Sequence, residues 1–348
     1  MSLEREPQHL ISAKQISVGV LKNIFTITEA LDQDQQAFED ARQDIKERYR
    51  DDAMGIAMTF EPSSRTRWSF IRAAESLNVK MLSEPNPKES SSVQKGESLE
   101  DTIMTLNETG YNAIVMRSDK PGAAEIAASV SDVTVINAGD GDGQHPTQAI
   151  ADAKTITDDF GFQTGLVIAH IGDPWNSRTV HSQVDIMRPF NPTHIFSAIP
   201  ELSGDNSYRD WLEAEGINFI ELKDVREAIS EADVIDVSRF QAARQLQEKD
   251  ESDSDYEARL DLIKHSYIGA TILHDERMEI VEANPQARIL HPLPRNEEIP
   301  AHITYHPQGR WREQMRNGML TRRAILYLAL TEQLFAKEVS IPLSNRIF

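Results

Sequence analysis

The sequence is notable first for what it lacks. It contains no cysteine, which excludes a disulfide framework and a thiolate metal site. No uninterrupted apolar stretch is long enough to span a bilayer, and the N-terminus MSLEREPQHL has no apolar signal-peptide core. We therefore expect no membrane partner and a cytoplasmic location. Lys and Arg number 36 against 56 Asp and Glu, and the net charge of −20 argues against nucleic acid as a partner.

Two familiar phosphate-binding motifs are missing as well. Neither G-x-x-x-x-G-K-[ST] nor G-x-G-x-x-G occurs in the chain. The cluster Gly139–Gly143 (GDGDG) lacks the glutamate and the flanking helices of a calcium loop, so we predict a turn at a strand end. A small anionic substrate is not excluded, because a local arginine cluster can reverse the potential inside a cleft.

Short apolar runs alternate with helical patterns along the 348 residues, which favours two α/β domains. The predicted strands are Ala53–Phe60, Val79–Leu82, Ala113–Met116, Val133–Asn137, Leu166–Ile171, Ile195–Ile199, Phe219–Leu222, Val234–Val237 and Ala287–Leu290. The predicted helices are Thr66–Leu77, Leu99–Leu106, Ala123–Val130, His181–Met187 and Leu320–Leu334, and the acidic stretch Glu248–Glu257 is predicted to be a solvated loop. We expect each domain to be a parallel sheet flanked by helices, with the active site in the cleft between the domains.

The segment Phe60–Arg67 (FEPSSRTR) is the first candidate for chemistry. A strand ends, a proline follows, and hydroxyl side chains and Arg65 stand at the start of a helix. Helix N-termini bind anions, and hydroxyl and guanidinium groups add donors, so the segment predicts a phosphate cradle. A capped helix start, with serines as caps and Arg65 on the surface, explains the same residues equally well.

Other candidate segments also follow predicted strands. They are Arg117, Gln144–Gln148 (QHPTQ), Gly172–Arg178 (GDPWNSR), Ser238–Gln241 (SRFQ) and His291–Arg295 (HPLPR). Ligands of parallel sheets bind at the carboxyl ends of the strands, so Arg and His residues recurring there point to one ligand cleft. A lone histidine such as His145 is also compatible with a structural role.

Taken together and in order, these segments resemble the catalytic chains of the aspartate carbamoyltransferase family. The resemblance rests on Ser63-Ser64-Arg65-Thr66-Arg67, Gln94-Lys95-Gly96-Glu97, Met116-Arg117, His145-Pro146-Thr147-Gln148, Ser177-Arg178-Thr179-Val180-His181-Ser182, Arg239-Phe240-Gln241, His291-Pro292-Leu293-Pro294-Arg295 and Arg316-Asn317-Gly318. The chain departs from the family at Ser64, where threonine is usual, in the loop sequence SSVQK, and at Ala243, where some relatives carry an acidic residue.

The resemblance implies the domains 1–160 for carbamoyl phosphate, 161–306 for aspartate, and 307–348 as a helical segment returning to the first domain. Thr66, Arg117 and His145 would stabilise the oxyanion, and Lys95 would assist catalysis. Phosphate oxygens would be held by Ser63, Ser64, Arg65, Thr66 and Arg117, with Ser91 and Lys95 reaching in from a neighbouring subunit. Gln148 and the carbonyls of Leu293 and Pro294, joined by a cis bond, would hold the carbamoyl NH₂ group.

For aspartate, the resemblance implies Arg178 at the α-carboxylate and Arg239, Gln241 and Lys95 at the β-carboxylate, with Leu293 beside both substrates. No metal or cofactor is expected, because the leaving phosphate can accept the amine's proton. The partner expected is a second copy of the chain, in a homotrimer with shared sites. Regulatory chains and dihydroorotase stay open as partners. One alternative is an ornithine-type carbamoyltransferase, which is disfavoured because Arg239 would repel the cationic side chain of ornithine. The other alternative is a non-catalytic subunit with the same fold.

Overall fold

The computed structural model describes residues 7–50, 52–204, 206–242, 245, 251–271, 273 and 275–339. The chain forms two compact units. Of the described residues, the first unit contains 7–154 and 316–339, and the second contains those between 155 and 315. The divisions at 154/155 and 315/316 both fall inside helices, so no loop marks either of them in the sequence.

The first unit is built on a four-stranded parallel sheet. Its strands are β1 (Met54–Thr59), β2 (Lys80–Glu84), β3 (Ala113–Ser118) and β4 (Thr134–Asp140), arranged in the order β2-β1-β3-β4. Its first helices are α1 (Val18–Gln33), α2 (Gln35–Tyr49), α3 (Ser64–Ser76), α4 (Pro87–Ser90), α5 (Leu99–Glu108), α6 (Ala123–Val130) and α7 (Pro146–Phe160). Ser17, Asp34 and Ser98 accept amide hydrogen bonds as N-caps of α1, α2 and α5.

Apolar side chains of β1, β3 and β4 pack with α5 and α6 into the core of this unit. The small residues Ala123, Ala124 and Ala127 let α6 lie close to the sheet. Helix α2 was not predicted from the spacing of apolar residues in the sequence. The helix buries only Ala37, Ala41 and Ile45 and is otherwise polar. Its N-cap and its i,i+4 hydrogen bonds from Gln35, Gln36 and Gln43 contribute a little, and packing of the buried residues adds the rest.

The second unit contains a five-stranded parallel sheet in the order β7-β6-β5-β8-β9. The strands are β5 (Val167–Gly172), β6 (Thr193–Ala198), β7 (Phe219–Glu221), β8 (Val234–Val237) and β9 (Arg288–Leu290). The helices are α8 (Arg178–Met187), α9 (Ser207–Ala214), α10 (Val225–Glu231), α11 (Asp253–Thr271) and α12 (Asp275–Ala283), and α13 (Trp311–Leu330) follows them in the chain. A large apolar core joins β5, β8 and β9 to α10 and α12.

Three polar side chains, His170, Asp236 and His194, form a buried hydrogen-bonded cluster within this second sheet. His170 lies 3.3 Å from an Asp236 carboxylate oxygen through Nδ1 and 2.9 Å from His194 Nδ1 through Nε2. Burial raises the pKa of Asp236 to about 7 and lowers the pKa of His170 to about 3. Both groups are therefore neutral near pH 6, which avoids the cost of burying charge.

The predicted fold class, two parallel sheets each flanked by helices, is confirmed. All nine predicted strands are present, with ends that differ by a few residues. The solvated loop predicted at 248–257 is wrong from Asp253 onward, where α11 begins, and residues 248–250 lie outside the described part. α13 begins at Trp311 and ends at Leu330, earlier at both ends than predicted. No helix in the described part of the chain is long and apolar enough to cross a membrane.

Candidate active site

The hydroxyl-rich segment of the first unit connects β1 to α3. Ser63 is the N-cap residue of α3, and its side chain makes no capping hydrogen bond within the described chain. Thr66 is buried in the first turn, whereas Ser64 and Arg65 are exposed. The capping explanation of the segment therefore fails for Ser63. What stands at this helix N-terminus is a group of hydroxyl and guanidinium donors suited to an anion.

Arg117 lies at the carboxyl end of the same sheet. It is the penultimate residue of β3 rather than the first residue after it, because the strand continues to Ser118. Its Nη2 donates to Glu61 Oε1 at 2.6 Å, and its Nη1 donates to the Ala138 carbonyl at 3.2 Å. His145 Nε2 lies 3.3 Å from Nη1. The structure thus brings Arg117 and His145 together, as the sequence predicted, and adds the carboxylate of Glu61.

Arg322 of α13 is a buried cation that the sequence patterns did not single out. Its Nη1 donates to Ser69 Oγ at 2.8 Å, and Ser69 Oγ donates to the Thr66 carbonyl at 2.8 Å. Burial, opposed by Asp152 and reinforced by Arg117 and Arg65, lowers the pKa of Arg322 to about 10. Arg322 therefore adds positive potential behind the first turn of α3. A charged residue on the otherwise apolar face of a terminal helix was its only sequence signal.

The remaining predicted residues of this unit lie on two other elements. Gln148, on α7, donates from Nε2 to Asp152 Oδ1 at 2.8 Å. Ser91 begins the short 3-10 helix Ser92–Lys95 and donates to the Pro87 carbonyl at 2.6 Å. Within the described chain, neither Ser91 nor Lys95 forms a hydrogen bond or ion pair with the α3 segment, Arg117 or His145.

In the second unit, one carboxylate joins two predicted segments. Asp173, fully buried at the end of β5, accepts from the Gln241 backbone N–H at 2.9 Å and from Asn176 Nδ2 at 2.7 Å. Arg178 is the first residue of α8 and is buried, and Arg239 follows β8 and is half-buried. Asp173 thus links the loop before Arg178 to the segment that carries Arg239 and Gln241.

The Leu293–Pro294 loop is held by a second buried acid. The Leu293 N–H donates to His291 Nδ1 at 2.8 Å, so the ring proton is on Nε2, which donates to Glu298 Oε1 at 2.9 Å. Burial alone would raise the pKa of Glu298, but hydrogen bonds from His291 and the Asn296 amide hold it below its usual value. The Leu293–Pro294 bond is cis, as the resemblance implies, and Leu293 adopts a φ of 59°.

Both units therefore place cationic, hydroxyl and amide groups at the carboxyl ends of parallel strands, where open α/β sheets bind their ligands. Among the described residues, no group of three potential metal ligands comes together. The fold and these residues define a two-domain α/β enzyme that handles small anions. Sequence patterns missed Arg322, Glu298 and Tyr267. Glu61 and Asp173 lie inside segments that the sequence singled out, but their contacts with Arg117 and Gln241 were not predicted.

Comparison with known proteins specifies the family. A profile described as "Aspartate/ornithine carbamoyltransferase, carbamoyl-P binding domain" matches residues 8–158, and "Aspartate/ornithine carbamoyltransferase, Asp/Orn binding domain" matches residues 164–329. The chain belongs to the aspartate/ornithine carbamoyltransferase family.

Named relatives fall on the aspartate side of this family. A chloroplastic aspartate carbamoyltransferase of Arabidopsis thaliana is 34% identical over 93% of this chain and 78% of its own length. The catalytic subunit from Bacteroides thetaiotaomicron is 38% identical over 77% of this chain and 80% of its own. The catalytic subunit of M. jannaschii aspartate transcarbamoylase superposes with a TM-score of 0.75 at 31% identity, covering 93% of this chain and 98% of that chain. The Trypanosoma cruzi enzyme, solved with carbamoyl phosphate and aspartate, gives 0.74 at 28% identity over 92% and 96%.

Proposed function

We propose that the protein transfers the carbamoyl group of carbamoyl phosphate to the amino group of L-aspartate, giving N-carbamoyl-L-aspartate and phosphate for pyrimidine biosynthesis. The observation that carries the choice of amine is the link through Asp173, which joins the loop before Arg178 to the segment of Arg239 and Gln241. Two guanidinium groups and an amide suit a dicarboxylate, because guanidinium groups pair bidentately with carboxylates.

Carbamoyl phosphate is assigned to the first unit. Ser63, Ser64, Arg65, Thr66 and Arg117 hold the phosphate oxygens in this proposal, and the buried charge of Arg322 supports them from behind. Thr66, Arg117 and His145 donate to the carbamoyl oxygen as negative charge develops there. The contact between Arg117 and His145 supports the assignment, since both must reach the same oxygen.

The carbamoyl NH₂ group is assigned to three acceptors. Gln148 provides one through its side-chain carbonyl, and the backbone carbonyls of Leu293 and Pro294 provide the others. The hydrogen bonds through His291 and Glu298 support a fixed loop at this place. Preorganised acceptors of this kind cost no reorganisation when the substrate reacts.

The chemical step needs a neutral amine. The α-carboxylate of aspartate pairs with Arg178 and the β-carboxylate with Arg239 and Gln241, which positions the amine for attack. The new C–N bond forms as the bond between the carbamoyl carbon and the phosphate oxygen breaks, and the departing phosphate takes the amine's proton. Positioning and electrostatic stabilisation then provide most of the rate enhancement.

The test is a carbamoylation assay with aspartate and ornithine in parallel. We expect turnover of aspartate alone, because Arg239 repels the cationic side chain of ornithine. Equal turnover of both amines would refute the choice of substrate. Turnover of neither amine, by a chain with a normal melting curve, would favour the non-catalytic alternative.

We also propose that the enzyme is a homotrimer in which Ser91 and Lys95 complete the site of a neighbouring copy. Their segment forms no polar contact with the cradle of its own unit within the described chain. Large apolar side chains are exposed nearby in sequence: Trp68 on α3 is 60% exposed, Leu82 on the edge strand β2 40%, and Met104 on α5 47%. If these side chains form one patch, a second copy of the chain is the partner that would cover it.

Subunit mixing tests the shared site. Lys95→Ala and Arg117→Ala are each expected to be inactive, and they damage different parts of the same site. If neighbouring copies share sites, unfolding and reassembling the two variants together restores part of the activity. Each variant reassembled alone is the control. No recovery, with mixed trimers confirmed by native mass measurement, would mean that one chain builds each site.

The cytoplasmic location stays a prediction from the sequence. Relatives named chloroplastic occur in Arabidopsis thaliana, rice and pea. Fractionation of the source cells with an antibody against the chain would decide between a cytoplasmic and an organellar enzyme.

A further inference from the structure

Helix α11 lies next in the chain to the aspartate-binding segment. It spans Asp253–Thr271, between the segment 238–241 and β9. Most of the helix is polar and exposed, but Ile263 and Tyr267 are buried in a small cluster with Leu202, and Phe240 packs against that cluster. Phe240 stands between Arg239 and Gln241, so one side of α11 contacts the very segment to which the β-carboxylate of aspartate is assigned.

Tyr267 makes the direct contact. It is 2% exposed, and its hydroxyl donates to the Ser238 carbonyl at 2.6 Å. Its ring lies 5.9 Å from that of Phe240, between centroids. Burial, with the charges of Glu298 and Asp173, raises the pKa of Tyr267 well above its usual value. The phenol therefore stays protonated and remains a hydrogen-bond donor.

Hydrogen bonds to elements outside the segment 238–241 anchor three of its backbone groups, and within the segment Gln241 Nε2 donates to the Arg239 carbonyl at 3.4 Å. The Ser238 N–H donates to the Ile171 carbonyl at 2.9 Å, and the Ser238 carbonyl accepts from Tyr267. The Gln241 N–H donates to Asp173 at 2.9 Å. Arg239 stands between these anchors, and the bond from Tyr267 holds the peptide group immediately before it. The orientation of that peptide sets the direction in which the Arg239 side chain leaves the backbone.

We propose that Tyr267 is a positioning residue for aspartate binding, which acts by holding the Ser238 carbonyl and so the direction of Arg239. This inference rests on the proposed function, because that function assigns Arg239 to the β-carboxylate. Without the hydroxyl, a buried carbonyl loses its partner, and the segment gains by rotating toward another donor or toward water. Arg239 then meets the carboxylate in a poorer geometry, and aspartate binding weakens while carbamoyl phosphate binding does not change.

Tyr267→Phe tests the proposal, because it removes the hydroxyl and keeps the ring against Phe240. Tyr256→Phe is the matched control: the Tyr256 hydroxyl, also on α11, donates to the Gln245 carbonyl at 2.6 Å, beyond the binding segment. Ile263→Val loosens the same apolar cluster without touching a hydrogen bond. For each chain we would measure the melting temperature, both KM values, kcat, and the Kd of succinate on the enzyme loaded with carbamoyl phosphate.

We expect Tyr267→Phe to raise the aspartate KM and the succinate Kd roughly five- to tenfold, the loss of about one buried hydrogen bond. The carbamoyl phosphate KM should stay within twofold of the wild type, and both control variants should keep the wild-type aspartate KM. Equal aspartate KM values in Tyr267→Phe and Tyr256→Phe would overturn the proposal. It would also be overturned if Tyr267→Phe lowered the melting temperature but left the aspartate KM and the succinate Kd unchanged. A wild-type chain that does not carbamoylate aspartate would instead refute the proposed function, and this inference with it.

Discussion

The two halves of the proposed site are built differently. In the first unit, the anion-binding groups of residues 63–66 are consecutive, and the acid Glu61 pairs with the cation Arg117. In the second unit, the binding residues come from separate strand ends, and the acids Asp173 and Glu298 hold backbone amides and a histidine. In the first half, the binding groups are neighbours in the sequence, and the Glu61 carboxylate occupies Arg117 before phosphate binds. In the second half, buried carboxylates hold the loops that carry the binding groups.

The difference teaches what each half needs. In the proposed site, the first half uses a helix N-terminus whose donors are consecutive in the chain, so most of its phosphate-binding groups are placed as soon as α3 folds. A dicarboxylate must be recognised at two places at once, which requires separate segments to be held at a fixed spacing. Buried hydrogen bonds provide that rigidity, because breaking one leaves an unsatisfied polar group.

The largest expected effect is at the local cradle. Arg65→Ala should lower kcat/KM for carbamoyl phosphate by at least roughly 10²–10³, because a donor to the phosphate is lost where charge develops. The fold should survive, since Arg65 is exposed. Arg72→Ala is the control, as Arg72 lies on the same helix with 68% of its side chain exposed. Steady-state kinetics with melting curves measure both, and an unchanged kcat/KM for carbamoyl phosphate would remove Arg65 from the site.

The next effect concerns the second half alone. Arg239→Ala should lower kcat/KM for aspartate. The corresponding loss of transition-state stabilisation should be about 2–5 kcal/mol, the range for removing one partner of a hydrogen-bonded charge pair. The Kd of inorganic phosphate should not change. Arg226→Ala removes an exposed arginine of the same unit and serves as the control. Weaker phosphate binding in Arg239→Ala would show that the two halves are not separable in the way we describe.

A smaller effect tests the competing anion. Glu61→Gln should tighten inorganic phosphate binding about three- to tenfold, because Arg117 no longer has a carboxylate to exchange for phosphate. Glu75→Gln is the matched control, since Glu75 pairs with Arg72 on the exposed side of α3. Calorimetric titration with phosphate measures both. Weaker binding in Glu61→Gln would mean that Glu61 orients Arg117 rather than competing for it.

The last effect is on stability rather than on ligand binding, and it lies outside the site, in the second sheet. Asp236 has a folded pKa of about 7, above its unfolded value, so its contribution to stability is complete at low pH and is lost as pH rises through 7. Asn cannot ionise, so Asp236→Asn should become more stable relative to the wild type by about 1–4 kcal/mol between pH 4 and pH 8. Urea unfolding across that range measures the difference. A constant difference would mean that Asp236 is not protonated in the folded chain.

Sequence reasoning was strongest where the physical signal is local. The helix at Ala123–Val130 and the strand at Val234–Val237 have the predicted bounds, because an apolar residue stands at each end of both elements. Pro146 begins α7, as its fixed φ predicted. α11 was not predicted at all, and its first turn was assigned to a solvated loop because of its acidic residues, although acidic residues are also favourable at a helix N-terminus.

The sequence by itself determined the alternation of strands and helices, the parallel sheets, and the order of the anion-binding segments at the strand ends. The alternation depends on apolar spacing within a few residues, the parallel sheets follow because strands joined by helices run in the same direction, and the order of the segments came from the resemblance. Only the tertiary structure decided that Glu61 meets Arg117, that Asp173 holds Gln241, and that Tyr267 holds Ser238. Arg322 reaches Ser69 across 253 positions of sequence, and no periodicity marks such a pair. These contacts form because burial in a packed core requires each polar group to find a partner, and the fold alone determines which partner lies within reach.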